Sequence, residues 1–155
     1  MTTLDTFLVD GAVVREAELP KAFGNRGFTL GDGVFESMRF TSGHVPFLSL
    51  HVQRLHAALE AHGIELDANL EEGALRESID AWSQTWGTQQ DVRIRLTAFR
   101  AGGGAYTPET NSVTWVASAT PMDIEGFALP AKGLDVDIYQ DMVKHPSPIS
   151  KFKNV

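Results

Sequence analysis

The apolar period of this sequence changes sharply between Thr41 and Leu48, and the change limits the folds open to it. From Val34 to Thr41 the residues alternate, with Val34, Glu36, Met38 and Phe40 on one face and Phe35, Ser37, Arg39 and Thr41 on the other. A period of two is that of a half-buried strand. From Leu48 to His62 the apolar spacing becomes i, i+4, i+7, i+11 through Leu48, Val52, Leu55 and Leu59, the buried stripe of a helix. A strand with one inward face, followed within a few residues by such a helix, belongs to a layered domain. The strand is launched from Arg26-Gly27-Phe28-Thr29-Leu30-Gly31-Asp32-Gly33, where the glycines permit a tight turn.

The flanking segments extend this pattern. Phe7-Leu8-Val9 and Ala12-Val13-Val14 read as a hairpin around Asp10-Gly11, a dipeptide suited to a type I′ turn. Gly63 stops the first helix. A second helix is expected from about Leu70 to Trp86, with the stripe Leu75, Ile79, Trp82 and Trp86, Glu71 and Glu72 in its first turn, and Gly87 at its end. Asp91 to Arg100 returns to strand, with Val92, Ile94, Leu96 and Ala98 facing one way. After the glycine-rich loop from Ala101 to Pro108, Ser112 to Ala119 is a further strand. The expected fold is α+β, a largely antiparallel sheet with two helices on one face. Residues 1–120 form this domain and 121–132, rich in proline and glycine, form a connector. Residues 133–155 begin a second domain, whose first strand carries Leu134, Val136 and Ile138.

Composition narrows the function. The net charge of −7 argues against nucleic acid or an anionic membrane as partner, since either calls for a basic stripe. With no cysteine, disulfides, thiolate metal sites and a cysteine nucleophile are excluded. No apolar run reaches membrane-spanning length and the N-terminus has no basic, apolar leader, so the expectation is a soluble, cytoplasmic protein.

Among chemistry-bearing residues, Arg54 offers a planar fork of donors suited to a phosphate, held on a helix face; pairing with a carboxylate is the alternative. His51 and His62 share a stripe while His56 points elsewhere, which is no metal site. Asp32 and Glu36 form a conceivable acid/base pair, but Asp32 is better read as supporting the turn through Asx-type hydrogen bonds. No Gly-x-Ser-x-Gly elbow is present, and the glycines after Arg100 are not a Walker loop.

Four pieces in order carry a family resemblance: Arg26 to Glu36 with its Gly-Asp-Gly-x-Phe-Glu, Leu50-His51-Val52-Gln53-Arg54-Leu55, the strand Arg93-Ile94-Arg95-Leu96-Thr97, and the closing Ser150-Lys151-Phe152-Lys153. The chain resembles the class IV (fold-type IV) pyridoxal-phosphate enzymes, which include branched-chain and D-amino-acid aminotransferases and aminodeoxychorismate lyase. The resemblance implies pyridoxal 5′-phosphate as cofactor, a homodimer, and small amino-acid and 2-oxo-acid substrates. It implies that Arg54 contacts the cofactor phosphate and that a lysine forms the Schiff base. Lys151 and Lys153 would face the same side of a strand, so periodicity does not choose between them. The family spacing counted from Gly133 points to Lys153, with Lys151 as the fallback. Arg100 is the implied reader of the substrate carboxylate. Aminotransferase is the leading activity, with a lyase releasing pyruvate as the alternative.

The resemblance is incomplete. Enzymes of this type are roughly twice as long, and Asn154 stands where the family often has threonine or histidine. The expected readings are a piece of a full enzyme, half of a split enzyme, or a non-catalytic binding or dimerisation domain, the first favoured because Arg54 and Lys153 are both present.

Overall fold

A computed structural model describes residues 4–19, 25–87, 90–123, 127, 129, 131–138, 140 and 145–155. Pro20, part of the uncertain segment after the hairpin, lies outside the described residues, as do Gly126 and Pro130 of the connector. Five strands are formed, β1 (Thr6–Val9), β2 (Ala12–Arg15), β3 (Gly33–Phe40), β4 (Val92–Arg100) and β5 (Val113–Pro121). They make one sheet in the order β2-β1-β5-β4-β3, and every neighbouring pair is antiparallel. The helices are α1 (Arg26–Leu30), α2 (Leu48–Ala61) and α3 (Glu72–Ser83). This is the α+β architecture read from the sequence. Among the described residues no helix is long and apolar enough to cross a membrane.

The two periodicities meet in the core. Leu48, Val52, Leu55 and Leu59 of α2 and Leu75, Ile79 and Trp82 of α3 are buried against Val34, Met38, Val92, Ile94, Leu96, Ala98, Trp115, Ala117 and Ala119 of the sheet. Helix α2 lies over β3 and α3 over β1, while the end strand β2 stays largely exposed. Trp82 is fully buried and its indole nitrogen donates to Thr6 Oγ1 at 3.0 Å, which satisfies the one polar atom of that ring. The hairpin forms as expected, with Asp10 at φ 46° and Gly11 at φ 90°.

Three local expectations are corrected. The glycine stretch contains a one-turn helix, α1, because Asn25 caps it (Oδ1 accepting from Phe28 N at 2.8 Å) and Gly31 closes it at φ 64°. The second helix is split: a 3-10 turn spans Ala68–Leu70, capped by Asp67, and an extended Glu71 separates it from α3. Trp86 is still buried, but from the turn after α3, stacked edge-on against Trp82 with ring centres 5.1 Å apart.

The strand expected at Leu134, Val136 and Ile138 is absent; these side chains are 88%, 89% and 79% exposed. Alternation alone makes no strand without a neighbour to pair with. The start of the outer edge of β3 is paired instead with residues 153–155. Phe35 N donates to Lys153 O at 2.8 Å, Val155 N donates to Gly33 O at 3.0 Å, and Val34 bridges Asn154.

Gly33 is required by packing. A Cβ there would lie 2.7 Å from both Ala98 O and Phe99 Cβ, so a side chain has to push β3 off β4. Gly73, on α3, has nothing within 4 Å of its imagined Cβ. Gly33→Ala is therefore expected to destabilise the fold by about 1–3 kcal/mol. Gly73→Ala is expected to stabilise it by up to about 1 kcal/mol. Urea midpoints of the two variants test the contrast.

Candidate active site

Strand parity puts Glu36 between Val34 and Met38 on the face that α2 covers, and the Glu36 residue is 2% exposed. A carboxylate is tolerated there only with partners. One turn of α2 supplies them, since His51 and Arg54 are three residues apart and share a face. Glu36 Oε1 accepts from Arg54 Nε at 2.6 Å, and Oε2 accepts from Arg54 Nη2 at 2.5 Å. His51 Nδ1 lies 2.8 Å from the same Oε2. Because Glu36 is ionised, Nδ1 is assigned as the protonated ring nitrogen. The segment along the edge of β3 adds Lys153, whose Nζ is 3.8 Å from Oε2.

One buried carboxylate thus gathers two cations whose own side chains are 44% (Arg54) and 39% (Lys153) exposed. The carboxylate is inside and the free ends of the cations are outside, so the spot presents net positive charge on a protein of net charge −7. Burial by itself would raise the Glu36 pKa. Hydrogen bonds from Arg54 and His51, with the charges of Arg54 and Lys153, outweigh burial and lower it to about 2. The reciprocal hydrogen bond from Glu36 raises the Arg54 pKa.

The two lysines that periodicity could not separate are in different settings. Lys151 is exposed in a turn over residues 148–151, with Nζ 4.9 Å from the Phe152 ring centre. Lys153 is past the turn, on the extended segment beside β3. A rule for strands did not apply across that turn, and the structure brings only Lys153 to Arg54.

Arg100 is placed elsewhere, against the expectation of a substrate carboxylate reader. It is 7% exposed, with Nε donating to Asp32 Oδ2 at 3.0 Å, Nη1 to Gly63 O and Asn111 Oδ1 at 2.9 and 2.5 Å, and Nη2 to His62 O at 2.6 Å. A ligand would have to displace these acceptors, which tie the end of α2 to β4. The reading of Asp32 as an Asx-type turn support is also revised. Asp32 Oδ2 takes Arg26 Nε at 2.7 Å as well as Arg100. Arg26 in turn donates from Nη1 to the carbonyls of Gly104 and Ala105 at 2.7 and 3.0 Å, holding the glycine-rich loop. Burial opposes ionisation of Asp32, but the hydrogen bonds and charges of Arg26 and Arg100 lower its pKa.

Sequence reasoning weighed Glu36 only as half of an acid/base pair with Asp32 and set His51 aside as a metal ligand, without joining the two. The signal was present: a carboxylate at an inward strand position needs a cation, and His51 and Arg54 are the polar pair on the helix that covers it. Arg95 was quoted only as part of a strand. Its guanidinium stacks 3.8 Å from the Phe35 ring centre, and Lys153 Nζ lies 5.9 Å from the same ring.

With this geometry in view, the sequence model of the family "Amino-transferase class IV" matches residues 33–155. The chain belongs to the class IV aminotransferases. The fold agrees. The branched-chain aminotransferase of Thermoproteus uzoniensis with norvaline superposes with a TM-score of 0.66 at 22% identity, over 77% of this chain and 41% of that one. The Thermobaculum terrenum branched-chain enzyme in its PLP form gives 0.66 at 13% identity, over 78% and 41%. A hypothetical aminotransferase from Mycobacterium tuberculosis in its PLP-bound form gives 0.61 at 19%, over 75% and 39%. The chain spans about two fifths of the length of these structures. A comparison with curated protein sequences gave no match.

The depressed Glu36 pKa has a defined pH signature. Its stabilisation is fully present above the ordinary glutamate range, near pH 4.5, and is lost as pH falls through about 2. The amount is roughly 3 kcal/mol for a shift of this size. The stability difference between wild type and Glu36→Gln, from urea melts between pH 7 and pH 2, is expected to shrink toward acid. A difference constant over that window would show that Glu36 is not held as described.

Proposed function

We propose that the protein is a pyridoxal-phosphate-dependent aminotransferase, moving an amino group between an amino acid and a 2-oxo acid. The observation that carries this is the single Glu36 oxygen shared by Arg54 Nη2 and Lys153 Nζ, at 2.5 and 3.8 Å. The phosphate and aldehyde of the cofactor stand on neighbouring ring carbons, so the groups that hold them must lie close together. The shared oxygen keeps the arginine fork and the amine within about 6 Å of each other, with net positive charge to meet the phosphate. The residues fit the group. The related structures in PLP form support the same cofactor.

Arg54 would hold the phosphate, and Lys153 would hold the cofactor through its amine at the aldehyde carbon. When bound, the cofactor supplies a pyridinium ring that accepts the electron pair left at the substrate α-carbon. Lys153, displaced by the substrate amine, then takes the proton from that carbon. For the substrate carboxylate, Arg95 suits better than Arg100. It is exposed, makes no ion pair among the described residues, and its guanidinium lies over the same Phe35 ring that Lys153 approaches. Branched-chain amino acids are the proposed substrates, on the likeness to branched-chain enzymes, and a homodimer is part of the same reading.

Adding pyridoxal phosphate to the complete protein is expected to give an absorbance band near the visible edge. Lys153→Ala abolishes it, Arg54→Ala weakens it, and Lys151→Ala leaves it intact. A band surviving Lys153→Ala would remove the lysine assignment. With a branched-chain amino acid and 2-oxoglutarate, Arg95→Gln is expected to raise KM for the amino acid about tenfold or more, as for loss of a charged hydrogen bond. Turnover of aminodeoxychorismate in place of amino-group transfer would favour the lyase.

A further inference from the structure

A guanidinium has two edges that can grip a pair of oxygens, a side edge of Nε and Nη2 and an end edge of Nη1 and Nη2. Glu36 occupies the side edge of Arg54, through Nε at 2.6 Å and Nη2 at 2.5 Å. Nη1 meets no acceptor among the described residues, and the side chain is 44% exposed. The end edge is therefore the one turned to solvent.

Glu36 itself has little freedom to turn. It is 2% exposed, packed with Met38, Val52, Leu55 and Leu96, and its Oε2 is also held by His51 Nδ1 at 2.8 Å. A long, half-exposed arginine is thereby fixed by two bonds to a group that is fixed in its own right. Ordering such a side chain in advance removes an entropy cost that binding would otherwise carry.

We propose that Glu36, locked by His51, is a positioning residue that aims the end edge of Arg54 at a phosphate. The proposal rests on the phosphate role of Arg54 argued above. It runs against simple charge bookkeeping. An anion beside a phosphate site repels the ligand, so by charge alone Glu36→Gln should tighten phosphate binding. Aiming makes the opposite prediction, because the amide has one acceptor oxygen and cannot take both bonds of the fork.

The probe is pyridoxine 5′-phosphate, which carries the phosphate but no aldehyde, titrated calorimetrically into the cofactor-free complete protein. Inorganic phosphate serves as a second probe. Glu36→Gln is expected to weaken binding about tenfold, the scale of a charge-assisted hydrogen bond. Glu36→Asp, which keeps the charge but is one methylene too short to reach the fork, should weaken it as well. In an Arg54→Lys background there is no fork to aim, so Glu36→Gln should leave binding unchanged or strengthen it. A purely structural role would weaken binding equally in both backgrounds.

Tighter binding for Glu36→Gln, or equal weakening with Arg54 and with Lys at position 54, overturns the proposal. If Glu36→Gln does not fold, His51→Phe decides: it alters no carboxylate and is expected to weaken binding about threefold with Arg54 present and not with Lys there. Binding of pyridoxine 5′-phosphate without a pyridoxal phosphate band would sink the lysine reading and leave this test standing. Failure of wild type to bind either phosphate probe would overturn the aiming role together with the phosphate site.

Discussion

A carboxylate drawn away from water is tolerated only where cations are brought to it, and this domain applies that constraint twice, once just before β3 and once within it. Asp32, just before β3, collects Arg26 and Arg100. Glu36, four residues on, collects Arg54, His51 and Lys153. The first group is closed: its arginines are buried and direct their donors to backbone carbonyls of the glycine-rich loop and of the end of α2. The second is open, with cations that reach solvent on one side and the carboxylate on the other. The same chemistry gives a closed scaffold joint in one place and an open cationic cluster in the next, and exposure of the cations is what differs.

Much of this was legible in the sequence because the buried positions recur in whole periods. The inward face of β3, the stripe of α2 and the alternation of β4 follow from apolar spacing alone, and each is found where the spacing puts it. For Arg54 the sequence left a phosphate and a carboxylate open as partners, and the structure shows the carboxylate, that of Glu36. What spacing could not supply were contacts between residues far apart in sequence. Arg100 looked available because it stands at the mouth of a loop, but its partners His62, Gly63 and Asn111 come from other segments. Leu134, Val136 and Ile138 have perfect alternation and form no strand, because pairing is a property of two segments and a pattern describes one.

The glycines around Asp32 identify the family in sequence, yet in the structure they serve close packing: Gly27 and Gly33 both lie against Phe99. That packing sets β3 tightly on β4 and brings Phe35, Arg95 and Lys153 into one neighbourhood. The glycines that pack and the side chains that face solvent are thus close neighbours around β3 and β4, with separate duties.

The pairing of residues 153–155 along β3 has a further consequence. The outer edge of a sheet is a row of free donors and acceptors that invites another chain to add itself. Here the invitation is answered by the segment that carries Lys153, through Phe35 and Gly33. A foreign strand docking on Gly33–Phe35 would evict the amine from Glu36 as it bound. Over Gly33–Phe35, covering the edge and holding the Lys153 amine beside Glu36 are one event, so a molecule with that amine in place also has the start of this edge covered.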